Sequence, residues 1–381
     1  MSEITDGTTI GAIFSAAVSA HGGRPFLAVP TNDARSYLPS GFEITYGEVG
    51  KRVDELAAVY RQAGYGLCHR VATLLENRPE YVMHKLALNS IGVCCVPINP
   101  DYRAAEIAYL IEHSEPDVIL TLGSREGQIK EALAHSAHKP PIIVAEEFAA
   151  PLAKASRPAH RRQPVPETPA SILYTSGTTG RPKGCVLSHG YEVASGARYA
   201  SLGGLAGLRP REDRIYNPLP LYHANSAVVS LMGAILTGNC QIQPDRFHPQ
   251  RWWREVAETR ATIVHYLGVI APLLLNQPPG EDERHHNVRF SNRPFGVKRF
   301  QTIHHCSVDV AHGLVLLFGI GTKALPSWGS KTRWNNLRHD LAVRRTAGSS
   351  GHANSPHPSS REGHLSTARW SSSFLLSDVI L

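Results

Sequence analysis

Between Ser171 and His189 the sequence reads SILYTSGTTGRPKGCVLSH. An apolar run (Ile172, Leu173, Tyr174) leads into a loop of hydroxyls and glycines, and a second apolar run (Val186, Leu187) leaves it. Gly177, Gly180 and Gly184 carry no Cβ, so the backbone can turn its N–H groups inward and approach an anion closely. Thr175, Ser176, Thr178 and Thr179 add hydroxyl donors, and Lys183 adds a mobile positive charge. Those residue types in that order describe a cradle for phosphate. The Gly-x-x-x-x-Gly-Lys-Ser/Thr spacing of a Walker A loop is absent. A flexible Ser/Thr/Gly linker has similar composition, but a linker does not sit inside a strand–loop–strand pattern.

Other chemistry-bearing residues have plainer readings. His223, after Leu221 and Tyr222, is on composition more often a packed or solvent-facing histidine than a functional one. Cys94 and Cys95 lie in an apolar run and read as core, where cysteine packs as a small hydrophobe. The pairs His285–His286 and His304–His305 lack the spacing and acidic companions of a metal site. Trp252–Trp253 predicts helix packing with one ring exposed, and Arg161–Arg162 a solvated turn.

The elements that must position the loop alternate. A helix is predicted over Ile10–Ala20. Thr45 with Glu48 forms a capping box for a helix carrying Val49, Val53, Leu56, Ala57 and Tyr60. Strands are predicted at 70–75, 93–98, 117–122 and 141–144, with helices over 79–88, from 101, and over 129–137. Past the loop come helices at 191–202, 225–236, 249–259 and 269–275, with extended segments at 214–220, 240–243 and 261–266. This alternation predicts an α/β fold of mostly parallel sheets flanked by helices. Its expected parts are a first α/β subdomain over 1–150, a connector over 151–169, and a second α/β subdomain with the phosphate loop over 170–290. The connector has five prolines and four lysines or arginines. Residues 291–381 form an irregular or disordered basic tail.

Composition narrows the class. At 381 residues, 42% hydrophobic and 19% charged, the chain exceeds one ordinary core and reads as globular protein. Neither a secretory leader nor an apolar run of the ~20 residues that span a bilayer is evident. Six scattered cysteines fit reduced thiols, and the expected location is cytoplasmic. The net charge of +7 lies wholly beyond Phe290, where 11 lysines and arginines face 4 acids. The body is neutral, so its pI gives no reason to expect nucleic acid as a partner.

With these residues read, Tyr174–Gly184 (YTSGTTGRPKG) resembles the signature phosphate loop of the AMP-forming acyl-CoA synthetases, members of the adenylate-forming ligase superfamily. VPINP at Val96–Pro100 and PLYH at Pro220–His223 agree in order and spacing. WWREVAETRATIVHYLGVIAPLLLNQPP, from Trp252 to Pro279, resembles the stretch lining the acyl pocket and is most similar to the crotonobetaine and carnitine branch. The resemblance covers roughly residues 10–290. It implies ATP-dependent ligation of a small carboxylic acid to coenzyme A through an acyl-adenylate, with release of AMP and pyrophosphate and with Mg²⁺ as metal. It places Thr175, Ser176, Gly177, Thr178, Thr179, Gly180 and Lys183 on the triphosphate, Thr175 at Mg²⁺, His223 beside the carboxylate and Ala224 near the nucleotide. The acid itself and the oligomeric state are not legible.

After Phe290 the family pattern is expected to continue with a Tyr-Gly-x-Thr-Glu block, a ribose-binding acid and a small domain with a catalytic lysine. None of these appears in residues 291–381, which hold 14 serines and 7 histidines and little periodicity. The expectation is a lost reading frame near Phe290 and an impaired ligase. A catalytically inactive fragment that at most binds nucleotide is the alternative. A basic tail that binds nucleic acid is the other. That rival requires an affinity that falls steeply with salt and vanishes on deletion of 291–381. We expect neither in a salt-titrated binding assay with duplex DNA and single-stranded RNA.

Overall fold

A computed structural model of the chain describes residues 8–148, 152–175, 182–278 and 280–292. In chain order its elements begin with α1 (Ile10–His21), β1 (Pro25–Val29), β2 (Phe42–Thr45), α2 (Tyr46–Gln62), β3 (Arg70–Leu74), α3 (Pro79–Ser90) and β4 (Cys94–Pro97). They continue with α4 (Ala104–Ser114), β5 (Val118–Thr121), α5 (Glu126–Ala134), β6 (Ile142–Val144), β7 (Pro169–Thr175), β8 (Lys183–Ser188) and α6 (His189–Ala200). The last are β9 (Arg214–Tyr216), α7 (Leu231–Thr237), β10 (Cys240–Ile242), α8 (Trp252–Glu258), β11 (Ile263–His265), α9 (Ile270–Leu275) and β12 (Phe290–Asn292). Among the described residues the chain divides into a main unit, drawn from 8–173 and 186–292, and a second holding 174–175 and 182–185.

Two six-stranded sheets carry the fold, ordered β6-β5-β3-β4-β7-β8 and β12-β11-β9-β10-β1-β2. The recorded pairings in the first are parallel. The second is parallel except for β1 with β2. Strands such as β4 (CCVP) and β5 (VILT) are buried at every position, as expected where helices cover both faces. Cys94 and Cys95 belong to this core.

The sheets do not respect a boundary at 151–169. β1 pairs with β10, and Cys95 of β4 registers with Ser171 of β7. The 1–150 and 170–290 segments therefore interleave, because a strand buried on both faces is stabilised wherever the sheet has room, whatever its place in sequence. The connector is irregular but fastened. Ala155 donates its N–H to Ala63 O at 2.8 Å, and Arg157 grips both oxygens of Asp117 at 2.7 and 2.9 Å. Arg161 and Arg162 are exposed.

Local rules explain the helices. Thr45 and Glu48 form the capping box of α2: the Thr45 hydroxyl accepts from Glu48 N, and the Glu48 carboxylate accepts from Thr45 N at 2.9 Å. Such a cap stabilises by about 1 kcal/mol. The expected helix at 225–236 opens instead as a π turn over Asn225–Ser230 before α7. At Gly196 on α6 a Cβ would lie 2.3 Å from the Met232 Cβ, so glycine is what lets α6 and α7 meet. Both tryptophans of α8 are buried, correcting the expectation of one exposed ring. The Trp252 ring stands edge-on to Tyr216 and to Phe247, and Trp253 stacks on His286 at 5.0 Å.

Beneath β7 sits a buried charge pair. Lys85 on α3 places Nζ 2.9 Å from Glu192 Oε2 on α6 and donates to Ser171 Oγ on β7 at 2.7 Å. Both charged side chains are at most 1% exposed. Removing one partner leaves the other charged in a dry site, at a cost of about 3–5 kcal/mol, whereas removing both in favour of packed apolar side chains costs far less. Lys85→Met is therefore expected to lose about 3–5 kcal/mol in urea unfolding, with most of that loss recovered in the Lys85→Met/Glu192→Leu double variant.

Candidate functional site

The glycine-rich loop is flanked by β7 and β8. Ser176, Gly177, Thr178, Thr179 and Gly180 lie outside the described residues, with Arg181. Of its ends, Tyr174 is buried, while Thr175 closes β7 and Lys183 opens β8 with both side chains exposed. A hydroxyl and an ammonium are thus free to meet an anionic ligand at either end of the loop. Among the described residues no group of three or more His, Cys, Asp or Glu side chains is placed to hold a metal ion. Thr175 can offer Mg²⁺ one oxygen, consistent with a metal whose other positions are usually filled by phosphate and water.

His223 and Ala224 belong to the main unit, in the segment that follows β9. Parallel β11, β9 and β10 end side by side, and a polar side chain stands at each end: His265, Asn217 and Gln243. The carboxyl ends of parallel strands are where open α/β sheets bind ligands. From Asn217 the chain turns at Pro220, whose carbonyl accepts from His223 N at 3.1 Å, and His223 O accepts from Ala227 N at 3.1 Å. Ala224 is the last residue before the π turn, a geometry often found at functional sites. His223 is half-buried with its ring 4.5 Å from that of Tyr222, and burial pulls its pKa below the ordinary histidine value. In its neutral form the ring can donate from one nitrogen and accept at the other.

This segment is pinned by buried amides that sequence reasoning did not single out. Asn77 Oδ1 accepts from Leu221 N at 2.8 Å, and its Nδ2 donates to Leu219 O at 3.3 Å. Asn217 Nδ2 donates to Asn225 Oδ1 at 3.0 Å, closing the segment end to end. His265 Nδ1 lies 3.0 Å from the same Asn225 oxygen, and its Nε2 2.7 Å from Tyr199 Oη. Behind them Ser226 Oγ donates to Gln243 Oε1 at 2.7 Å, and Gln241 Nε2 donates to that oxygen at 2.9 Å. The available signal was polar residues at buried strand ends, Asn217, Gln243 and His265, where the pattern otherwise calls for apolar ones.

The family model of the AMP-binding enzymes matches residues 14–336, and the chain belongs to that family. The match runs past Phe290, so the family pattern extends beyond the roughly 10–290 expected from sequence. The chain is 28% identical over 277 residues to a sulfoacetate–CoA ligase from Cupriavidus necator, an alignment covering 72% of this chain and 52% of that protein. It is 29% identical to a medium/long-chain-fatty-acid–CoA ligase of Mycobacterium tuberculosis, covering 74% and 45%. It is 26% identical to a crotonobetaine/carnitine–CoA ligase of Proteus mirabilis, covering 65% and 49%. The chain spans about half the length of these relatives. The N-terminal domain of FACL13 from Mycobacterium tuberculosis shares the fold, with a TM-score of 0.65 at 20% identity over 79% of this chain and 74% of that one. O-succinylbenzoate coenzyme A synthetase from Bacillus subtilis, solved with ATP and magnesium ion, gives 0.60 at 20% identity over 76% and 71%.

Burial of histidine carries a pH consequence. His265, His84 and His189 are pushed down to about 3 by burial, against about 6.5 in an unfolded chain. Between those values the unfolded state binds more protons, so stability is full above about pH 6.5 and is lost as pH falls. Glu255, raised by burial from 4.5 to about 7, acts oppositely, losing stability as pH rises through that interval. Three groups outweigh one, so the urea midpoint is expected to be lower at pH 5 than at pH 7.5. An equal or higher midpoint at pH 5 would contradict the buried neutral histidines.

Proposed function

We propose that this chain is the nucleotide-binding part of an acid–thiol ligase that activates a carboxylic acid with ATP for transfer to coenzyme A. The observation that carries the reading is the YTSGTTGRPKG loop, with Thr175 and Lys183 exposed at its two ends, in a chain of the AMP-binding family. Residues 175–183 take the triphosphate: backbone N–H groups and hydroxyls meet the oxygens, and Lys183 offsets their charge. Thr175 would offer its hydroxyl to Mg²⁺, which when bound would supply charge neutralisation at the phosphates. His223 orients the carboxylate that attacks the α-phosphate, and Ala224 lies against the nucleotide. The reaction brings an anion to an anion, so neutralisation and positioning supply most of its acceleration. The relatives' names span short polar and long-chain acids, and both remain candidate substrates.

We further infer that this chain binds ATP but turns over poorly. Residues 291–381 hold no Tyr-Gly-x-Thr-Glu block, and losing one electrostatic group at such a site typically costs ~10²–10³ in rate. A shifted frame within 291–381 accounts for the absent block, and reading the coding DNA in its other frames is expected to restore it. We place its action in the cytoplasm on its six scattered cysteines, which form no disulfide framework; separately, no helix among the described residues is long and apolar enough to cross a membrane. The test pairs equilibrium binding of Mg-ATP with an assay of thioester formation over a panel of carboxylic acids. Expected are ATP binding that Lys183→Ala weakens about tenfold, the worth of one charge-assisted contact, and little thioester. Failure to bind ATP would sink the family-based function, and turnover at about 1–10³ per second would sink the impairment.

A further inference from the structure

We propose that His265 is a positioning residue: from the end of β11 it fixes the Asn225 amide, whose oxygen also takes Asn217, so that the two ends of the segment carrying His223 meet on one held atom. The role rests on the acid-activating reading given above, because it matters for chemistry only if His223 meets the acid.

The proton positions follow from what each group can do. Asn225 Oδ1 only accepts, and it receives Asn217 Nδ2–H at 3.0 Å and faces His265 Nδ1 at 3.0 Å. His265 therefore carries its proton on Nδ1 and donates it to Asn225. Its Nε2 is then the acceptor for Tyr199 O–H at 2.7 Å. Asn217 Nδ2, 3.4 Å from His265 Nδ1, is a second donor to the shared oxygen rather than a partner of the ring. Asn217 Oδ1 accepts from Leu219 N at 3.1 Å, carrying the restraint into the segment itself.

Both contacts of the ring are tertiary. His265 lies 40 residues from Asn225 and 66 from Tyr199 in sequence, so no local turn preference can hold this geometry. The ring is buried at 1% exposure, where an imidazole with one nitrogen unpaired is costly. It thus fixes two acceptor–donor relations at once and passes the rigidity of α6 and β11 to the backbone on either side of His223. An apolar residue at 265 would fill the volume and leave the Asn225 oxygen to the Asn217 donor.

Asparagine and glutamine separate the two halves of the ring. Asn places an amide near the Nδ1 position and can still donate to Asn225, whereas Gln reaches the Nε2 position and leaves the Asn225 oxygen to Asn217 alone. In the full chain, His265→Asn is expected to keep wild-type hydrogen exchange at the amides of Leu219, Leu221 and His223. His265→Gln is expected to speed that exchange about tenfold, at a melting temperature close to that of His265→Asn. Titration with butyrate, octanoate and sulfoacetate in the presence of Mg-ATP supplies the functional arm. His265→Gln should weaken the best-bound acid about tenfold while leaving ATP affinity unchanged, and His265→Asn should preserve both. Tyr199→Phe, which removes only the Nε2 partner, should leave the Leu219–His223 amides protected. Equal exchange in the Asn and Gln variants would overturn the proposal, as would equal acid affinity. If the wild type binds none of the three acids, the acid-activating reading falls, while the exchange comparison still decides the positioning role.

Discussion

The buried ion pair of Lys85 and Glu192 is the constraint on which the main unit most depends. Desolvating two charges is expensive, and only close geometry with further hydrogen bonds recovers the cost. Here the ammonium meets both oxygens of Glu192, at 3.2 and 2.9 Å, and the hydroxyl of Ser171. The three residues belong to α3, α6 and β7, so the pair forms only when a helix before the connector, a strand after it and the helix beyond the loop have all assembled. Apolar packing alone would tolerate sliding of α6 over β7. A buried ammonium with two fixed acceptors and an ion-pair contact does not, and the strand it holds is the one that leads into the glycine loop.

A second set of restraints works at the carboxyl ends of the other sheet. Parallel strands bring their chain ends to one edge, so Asn217, Gln243 and His265 become neighbours although 48 residues separate the first from the last. The amides there bond to one another and to backbone groups of residues 217–221, not to solvent. Each bond is worth only about 1 kcal/mol net, but each unmade one would cost about 1–3 kcal/mol. That asymmetry gives the segment one arrangement and penalises the alternatives.

Much of this was legible in the sequence. The alternation of buried strands and amphipathic helices gave the α/β class, and the Thr45–Glu48 spacing identified its cap. The glycine loop, read from its residue types as a phosphate cradle, carried the family resemblance that the match over residues 14–336 bears out. Pairing between distant strands was not legible: β1 looks like any short apolar strand, and nothing in PFLAV names β10 as its partner. The π turn at Asn225–Ser230 was hidden for a related reason. Its apolar periodicity reads as an ordinary helix, while the extra residue per turn is set by tertiary bonds from Asn217, His265 and Gln243. Trp253 was misplaced because its covering group, His286, lies 33 residues on.

The polar strand ends also explain why His265 passed unnoticed while His223 did not. His223 follows a recognisable Pro-Leu-aromatic run, and its half-exposed ring is free to address a ligand. His265 sits inside IVHYL, where burial would ordinarily select an apolar residue, and no neighbour in sequence hints at a role. A buried neutral histidine with both nitrogens engaged is costlier than leucine in folding terms, since it needs two partners supplied by other elements. The structure supplies both, Tyr199 from α6 and Asn225 from the π turn. Such an arrangement is expected where placement of a nearby backbone matters more than added stability, and the backbone placed here is the one that presents His223.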